Sequence, residues 1–115
     1  MKTVFRLVTA LALSGCVAYN AGEDPTGEDL RDRATPVLMA IRDFIDENSR
    51  IPKSLDELVP KYIKALPDKP KVILDKQRNL VYFNYNLTGK ASDQVECSSV
   101  FGQSSWDCSK YYHSN

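Results

Sequence analysis

The chain is short of the residues that most often carry chemistry. Its 115 residues include one histidine, one tryptophan and three cysteines. His113 cannot supply a multi-histidine metal site, and it lies in a terminus that we expect to fray, too mobile for a nucleophile–base pair. Basic and acidic residues both number 15, so no charge excess indicates nucleic acid. We therefore expect no catalytic residues, no metal and no organic cofactor.

The N-terminus has the pattern of a secretory signal. Lys2 and Arg6 precede an apolar run that ends at Leu13, too short for a spanning helix, which needs about 20 apolar residues. The following Leu13-Ser14-Gly15-Cys16 resembles the lipobox of bacterial lipoprotein precursors. This resemblance implies a signal peptide over residues 1–15, cleavage before Cys16, and acylation of that cysteine with chains such as palmitate. The alternative is an ordinary secretory signal with a chance cysteine.

The same resemblance implies a location. Val17, rather than aspartate, follows the cysteine, which in lipoproteins of two-membrane bacteria implies export to the outer membrane, facing the periplasm. The inner membrane and the cell surface are the alternatives. Two or three acyl chains would anchor the protein firmly, because each buried methylene contributes about 0.8 kcal/mol.

Lipidation of Cys16 would explain the odd number of cysteines. Removing residues 1–15 leaves 100 residues, and because Lys2 and Arg6 leave with them, 13 basic residues remain against 15 acidic ones. Cys97 and Cys108 then form an even pair in an oxidising compartment, which predicts a disulfide.

Helical periodicity occupies the first half of the mature chain. Residues 16–29 are polar and broken by glycine and proline, so we expect a flexible tether there and a folded domain over residues 30–115. Pro36 leaves two possibilities: a helix that begins at Pro36, or a longer helix that kinks there, which we favour. The apolar stripe that predicts this amphipathic helix consists of Leu30, Ala34, Val37, Leu38, Ile41, Phe44 and Ile45.

A second, short helix is predicted where Ser54-Leu55-Asp56-Glu57 resembles a capping box. Pro60 should bend or shorten this helix. Its inward residues would be Leu55, Leu58, Val59, Tyr62 and Ile63.

From residue 71 the apolar period becomes two. Strands are predicted at residues 72–74 and 80–87, and then a hairpin over residues 94–112. With Gly102-Gln103 as a two-residue turn, Cys97 faces Cys108 as a hydrogen-bonded pair with Cα atoms about 5.5 Å apart, and Trp106 lies beside the bridge. The expected fold is α+β: two helices packed on an antiparallel sheet of three to four strands, with a disulfide in the C-terminal hairpin.

Residues 41–67 resemble the start of the globular domain of type II secretion pseudopilins and other type IV pilin-like proteins. The similarity lies in a corner at residues 48–52, a Ser-Leu-x-x-Leu helix at residues 54–58 and a proline-flanked turn at residues 66–70. The resemblance extends over residues 30–87 and implies a helix packed on a small antiparallel sheet. It does not imply filament assembly, because a lipobox stands where a pseudopilin has its long apolar helix. The calcium loop of major pseudopilins has no counterpart here.

Aromatic residues crowd the sheet half of the chain. If they are exposed together they would form a binding surface; the alternative is a second layer of packing. The candidates are Tyr82, Phe101, Trp106, Tyr111 and Tyr112.

These observations predict a non-enzymatic, lipid-anchored periplasmic module that binds or positions another envelope protein. In its sharpest form it is an accessory of a secretion or pilus machine. The alternative is a cell-wall-directed enzyme or a small-ligand-binding lipoprotein, which would need convergent polar side chains in a pocket.

Overall fold

The fold is a helix packed on one face of a four-stranded antiparallel sheet, as seen in a computed structural model that describes residues 18–111. Residues 1–15, Cys16 and Tyr112 lie outside the described residues. Within them the elements are α1 (Pro25–Asn48), a 3₁₀ turn (Leu55–Leu58), β1 (Ile73–Asp75), β2 (Leu80–Asn86), β3 (Gln94–Val100) and β4 (Asp107–Tyr111). The sheet order is β1-β2-β3-β4. The predicted α+β class is confirmed. Between residues 18 and 111 no helix is both long and apolar enough to span a bilayer.

Helix α1 is longer than the sequence predicted. Pro25 occupies its first turn, where a missing amide costs nothing, and Pro36 lies within it, as expected for the longer helix. The helix ends at Asn48, where Ser49 adopts a left-handed φ of 55° and donates its amide to the carbonyl of Ile45. The boundary of the tether is therefore corrected: residues 25–29 are helical.

The two faces of β2 follow the predicted alternation. Val81, Phe83 and Tyr85 are buried against α1, whereas Asn84 and Asn86 are exposed on the outer face. Helix α1 runs antiparallel to β2, because Thr26 lies beside Thr88 and Ile41 packs with Val81. The inner-face core is completed by Ala34, Val37, Leu38, Phe44, Val95 and Cys97.

The second helix is only a single 3₁₀ turn, and its predicted cap is wrong. Ser54 makes no side-chain cap hydrogen bond; the Glu57 carboxylate accepts from the Lys53 amide and from the Arg50 guanidinium instead. Val59 is extended and 37% exposed rather than inward. The reason is Pro60, which disfavours a helical conformation at the residue before it.

The Cys97–Cys108 disulfide is present and the predicted register is confirmed, since Cys97 pairs with Cys108. The turn is different. Strand pairing stops at Ser98 and Asp107, so the connection is longer than the predicted Gly102-Gln103 turn. The Cα atoms of the two cysteines are 4.0 Å apart, nearer to a non-hydrogen-bonded pair than to the predicted hydrogen-bonded one. In a hairpin with a two-residue turn, hydrogen-bonded and non-hydrogen-bonded pairs alternate from the turn onward. Because the connection here is longer, that alternation does not determine which kind of pair the cysteines form.

Candidate functional site

The start of α1 is locked to the end of β2 by a fully buried carboxylate, that of Asp24. Its Oδ1 accepts a hydrogen bond from the Tyr85 hydroxyl. Its Oδ2 accepts from the Thr88 amide at 2.9 Å and from the Thr88 hydroxyl at 2.7 Å. The residues that the sequence assigned to a flexible tether thus end in a set of long-range hydrogen bonds.

The electrostatics of this lock favour an ionised Asp24 and a neutral Tyr85. Burial raises the pKa of Asp24, but the hydrogen bonds from Tyr85 and Thr88 outweigh burial, so the pKa is lowered overall. Burial, and then the hydrogen bond to Asp24, raise the pKa of Tyr85. The carboxylate lone pairs are occupied by protein donors, so Asp24 has a structural role rather than that of a free general base.

Two glycines allow the backbone to pass close to the side chains of Asp24 and Tyr85. Gly22 has φ of +80° and donates its amide to the Tyr85 hydroxyl at 2.8 Å. A Cβ on Gly22 would lie 2.6 Å from the Cβ and Sγ of Cys108. A Cβ on Gly27 would lie 2.6 Å from the Asp24 carboxylate. The sequence offered a signal for the helix start alone, because an aspartate directly before a proline is typical of one.

The four aromatic candidates within residues 18–111 do not form one patch. Trp106 packs inward, edge-on to Phe83 with ring centroids 4.9 Å apart, and its indole N–H donates to the Thr35 hydroxyl. Phe101 packs against the core cluster around Ile41. Tyr82 and Tyr111 lie on the outer face of the sheet, and Tyr111 donates to Gln94. Tyr112 lies outside the described residues.

The outer face carries an apolar corner, the name we give to Ile73, Leu80, Tyr82 and Val100. Ile73 pairs with Tyr82 across β1 and β2, and Leu80 pairs with Val100 across β2 and β3. Val100 is 55% exposed and Ile73 is 36% exposed.

An ion-paired arginine borders the apolar corner. The Arg78 guanidinium lies 4.9 Å from the centre of the Tyr82 ring. It also pairs with Asp75 at 2.8 Å and with Glu96 at 3.2 Å. The rest of this face is mostly uncharged and polar: Asn84, Asn86, Gln94, Ser98 and Ser109.

Three small clefts surround the helix–sheet interface. One of about 240 Å³ lies between Val37, Leu66 and Val72, and one of about 200 Å³ lies between Tyr19 and Lys110. The third, about 220 Å³, is lined by Arg31 and Trp106, and the Nε of Arg31 is buried without a hydrogen-bond partner. Each is below the roughly 300 Å³ at which ligand pockets usually begin. Among residues 18–111 there is no group of three or more His, Cys, Asp or Glu that could hold a metal ion.

Comparison with known proteins adds no relative. No protein-family model, no curated protein and no solved structure matches this chain. The resemblance of residues 41–67 to pseudopilins stays a prediction.

Proposed function

We propose that this protein is a lipid-anchored module, held by acylated Cys16 at the outer membrane and facing the periplasm, that binds another envelope protein. The observation that carries the binding role is the apolar corner. It lies at the beginning of β2, whereas the chain enters the domain beside Thr88, past the end of that strand. The seven residues of β2 extend about 20 Å, so the point where the described chain enters the domain and the apolar corner are at opposite ends of the sheet.

The make-up of the apolar corner favours a protein partner over a small ligand. It is a sheet face rather than a cleft, with apolar side chains bordered by polar ones such as Arg78 and Ser98. This is the usual anatomy of a protein interface, an apolar centre with a polar rim. Tyrosine and arginine are also the residue types enriched at binding hot spots, and here Arg78 stacks on Tyr82.

The more specific form of the proposal is an accessory of a secretion or pilus machine. Its support is the resemblance of residues 41–67, together with an element order that agrees with it: a long helix, a short helical turn and then an antiparallel sheet. A lipid anchor in place of a filament helix favours a tethered accessory over a filament subunit.

Site-specific photo-crosslinking in cells tests the binding role. A photoreactive amino acid at Val100 or Tyr82 should yield the same single envelope protein, identified by mass spectrometry. The matched control is Asp43, exposed on α1. If all three positions give the same set of abundant bystanders, the proposal fails.

The anchor is tested separately. Cys16→Ser should release the protein from the membrane fraction into the soluble fraction. A variant that stays in the membrane fraction would contradict acylation at this residue.

The Arg31 cleft favours a second candidate function, binding of a small carboxylate. The Arg31 guanidinium lines this cleft beside Trp106, and a guanidinium pairs well with a carboxylate. Titration with glycylglycine or acetate, followed through the Trp106 indole N–H signal by NMR, should then shift that signal. The shift should disappear in Arg31→Gln. If the signal does not respond in the native protein, this candidate is excluded.

A further inference from the structure

We propose that the pole of the domain at the end of β2 lies directly against the bilayer and contacts anionic lipid headgroups. This membrane pole consists of Ala18, Tyr19, Thr88, Gly89, Lys90 and Lys110. The inference rests on the proposed acylation of Cys16, and it identifies which surface of the domain meets the membrane.

The first argument is the length of chain between lipid and domain. Ala18 and Tyr19 line a cleft together with Thr88, Lys90 and Lys110, so the described chain begins at this pole. Only Val17 separates Ala18 from Cys16 in the sequence. Because a residue spans at most about 3.6 Å, the Cα atoms of Cys16 and Ala18 are within about 7 Å of each other.

The second argument is that the residues after Ala18 cannot lengthen the connection between lipid and domain without breaking the hydrogen bonds that hold Gly22 and Asp24. Gly22 packs against Cys108 and donates its amide to the Tyr85 hydroxyl. Asp24 is buried between Tyr85 and Thr88. A flexible segment over residues 16–29 would have allowed the domain to move about 20 Å from its anchor. The docked segment reduces that distance to the reach of two residues.

The third argument is the charge of the membrane pole. Lys90 and Lys110 both approach the carboxylate of Asp93, at 3.7 Å and 3.4 Å. Asp93 is almost fully buried, while the side chains of Lys90 and Lys110 are 65% and 37% exposed. The carboxylates of Asp93 and of Asp24, beside Thr88, are both buried, so the charges that the membrane pole exposes to anionic headgroups are those of the two lysines. The exposed carboxylates of Glu23 and Glu28 near the helix start repel anionic headgroups, so the lipid supplies the attachment and the lysines only orient the domain.

In this orientation, α1 and the sheet set the height of the apolar corner above the bilayer. The 24 residues of α1 extend about 36 Å away from the membrane pole. The apolar corner, at the other end of β2, is therefore presented to the periplasm rather than to the bilayer. The domain acts as a rigid spacer that holds its partner at a fixed height above the membrane.

The test attaches the mature chain, residues 16–115, to a membrane without relying on cellular acylation. Cys97 and Cys108 are joined in a disulfide, so Cys16 can be coupled to a maleimide lipid in nanodiscs of phosphatidylcholine and phosphatidylglycerol. A gadolinium headgroup lipid then enhances the NMR relaxation of nearby amides. We expect the enhancement at residues 89–91 to exceed that at residues 102–103 by at least about tenfold, because β2 separates the two ends by about 20 Å and the enhancement falls steeply with distance.

The control variant carries a long Gly-Ser insertion between Val17 and Ala18, which keeps the lipid but lengthens the chain between the lipid and the domain. Its enhancement at residues 89–91 should fall towards that at residues 102–103. Equal enhancement at both ends of the uninserted domain, or no change on insertion, would overturn the inference. Because the lipid is coupled chemically, this outcome is independent of the Cys16→Ser fractionation that tests the anchor in cells. The double variant Lys90→Gln, Lys110→Gln should reduce the difference only where phosphatidylglycerol is present.

Discussion

The hydroxyl of Tyr85 donates a hydrogen bond to the buried carboxylate of Asp24, across 61 residues of sequence. The same hydroxyl accepts the amide of Gly22. One tyrosine at the end of β2 therefore holds both the segment that enters the domain and the first turn of α1. The segment that leads into α1 is therefore part of the folded core.

Tyr85→Phe tests the strength of this junction. Removing the hydroxyl leaves the Gly22 amide and the Asp24 Oδ1 without their partner, and unpaired groups of this kind cost about 1–3 kcal/mol when buried. We expect the free energy of unfolding in urea to fall by about 2–3 kcal/mol, with an unchanged denaturant slope. The matched control is Tyr82→Phe, on the outer face of the same strand. Equal losses of unfolding free energy in the two variants would show that the hydrogen bonds of the Tyr85 hydroxyl contribute nothing.

The loss of unfolding free energy at low pH should depend on two carboxylates, those of Asp24 and Glu57. The pKa of Asp24 is lower in the folded chain than in the unfolded one. The pKa of Glu57 is lowered from 4.5 to about 2, first by the Arg50 hydrogen bond and then by the Lys53 amide. As pH falls the unfolded chain takes up these protons first, so the stability that both groups contribute above pH 4.5 is lost as pH falls through their folded pKa values.

Urea unfolding at a series of pH values between about 5 and 2 checks this dependence. Asp24→Asn and Glu57→Gln should each reduce the slope of unfolding free energy against pH in that window. Asp29→Asn, exposed on α1, is the control. A slope that both variants leave unchanged would assign the acid sensitivity to other groups.

Two glycines with positive φ give a matched comparison of backbone strain with close packing. Gly22 and Gly89 have φ of +80° and +79°. A Cβ on Gly89 would meet nothing within 4 Å, whereas one on Gly22 would collide with Cys108. Gly89→Ala should cost only the left-handed conformation, about 1–2 kcal/mol. Gly22→Ala should cost clearly more in urea unfolding, and equal costs would place Gly22 away from the disulfide.

The parts of the fold that were predicted correctly depend on local periodicity. The alternation from Val81 to Leu87 and the stripe of α1 are visible within a few residues of sequence, and the register that pairs Cys97 with Cys108 was also correct. The parts that were missed depend on distant contacts. Nothing near Gly22 and Asp24 shows that Tyr85 and Thr88 will hold them.

The aromatic candidates illustrate the same limit. Their number and position suggested a single surface, but the side of the sheet decides which of them can act together. Trp106 follows a connection whose length the sequence did not determine, and its ring packs inward on Phe83. Tyr82 keeps the outward position that strand alternation gives it and is the one candidate that belongs to the apolar corner.

The disulfide should stabilise the domain through the short loop that it closes. Eleven positions separate Cys97 from Cys108, and loops of this size are expected to contribute about 3 kcal/mol in the chain-entropy model. The double variant Cys97→Ala, Cys108→Ala should lose about that much free energy of unfolding. In the native protein neither cysteine should react with a thiol reagent before unfolding. Rapid labelling of Cys97 under native conditions would contradict the bridge.

The apolar corner should matter for binding and not for folding. Val100 is 55% exposed at the end of β3, so Val100→Asp should change the free energy of unfolding by less than about 0.5 kcal/mol. The same substitution places a charge at the centre of the proposed interface, next to Leu80, and should abolish the crosslink formed from Tyr82. Asn84→Asp adds the same charge to the same face, two residues from Tyr82, and should leave the crosslink largely intact. If both variants lose it equally, general charge on the outer face explains the effect; if neither does, the partner binds elsewhere on the domain.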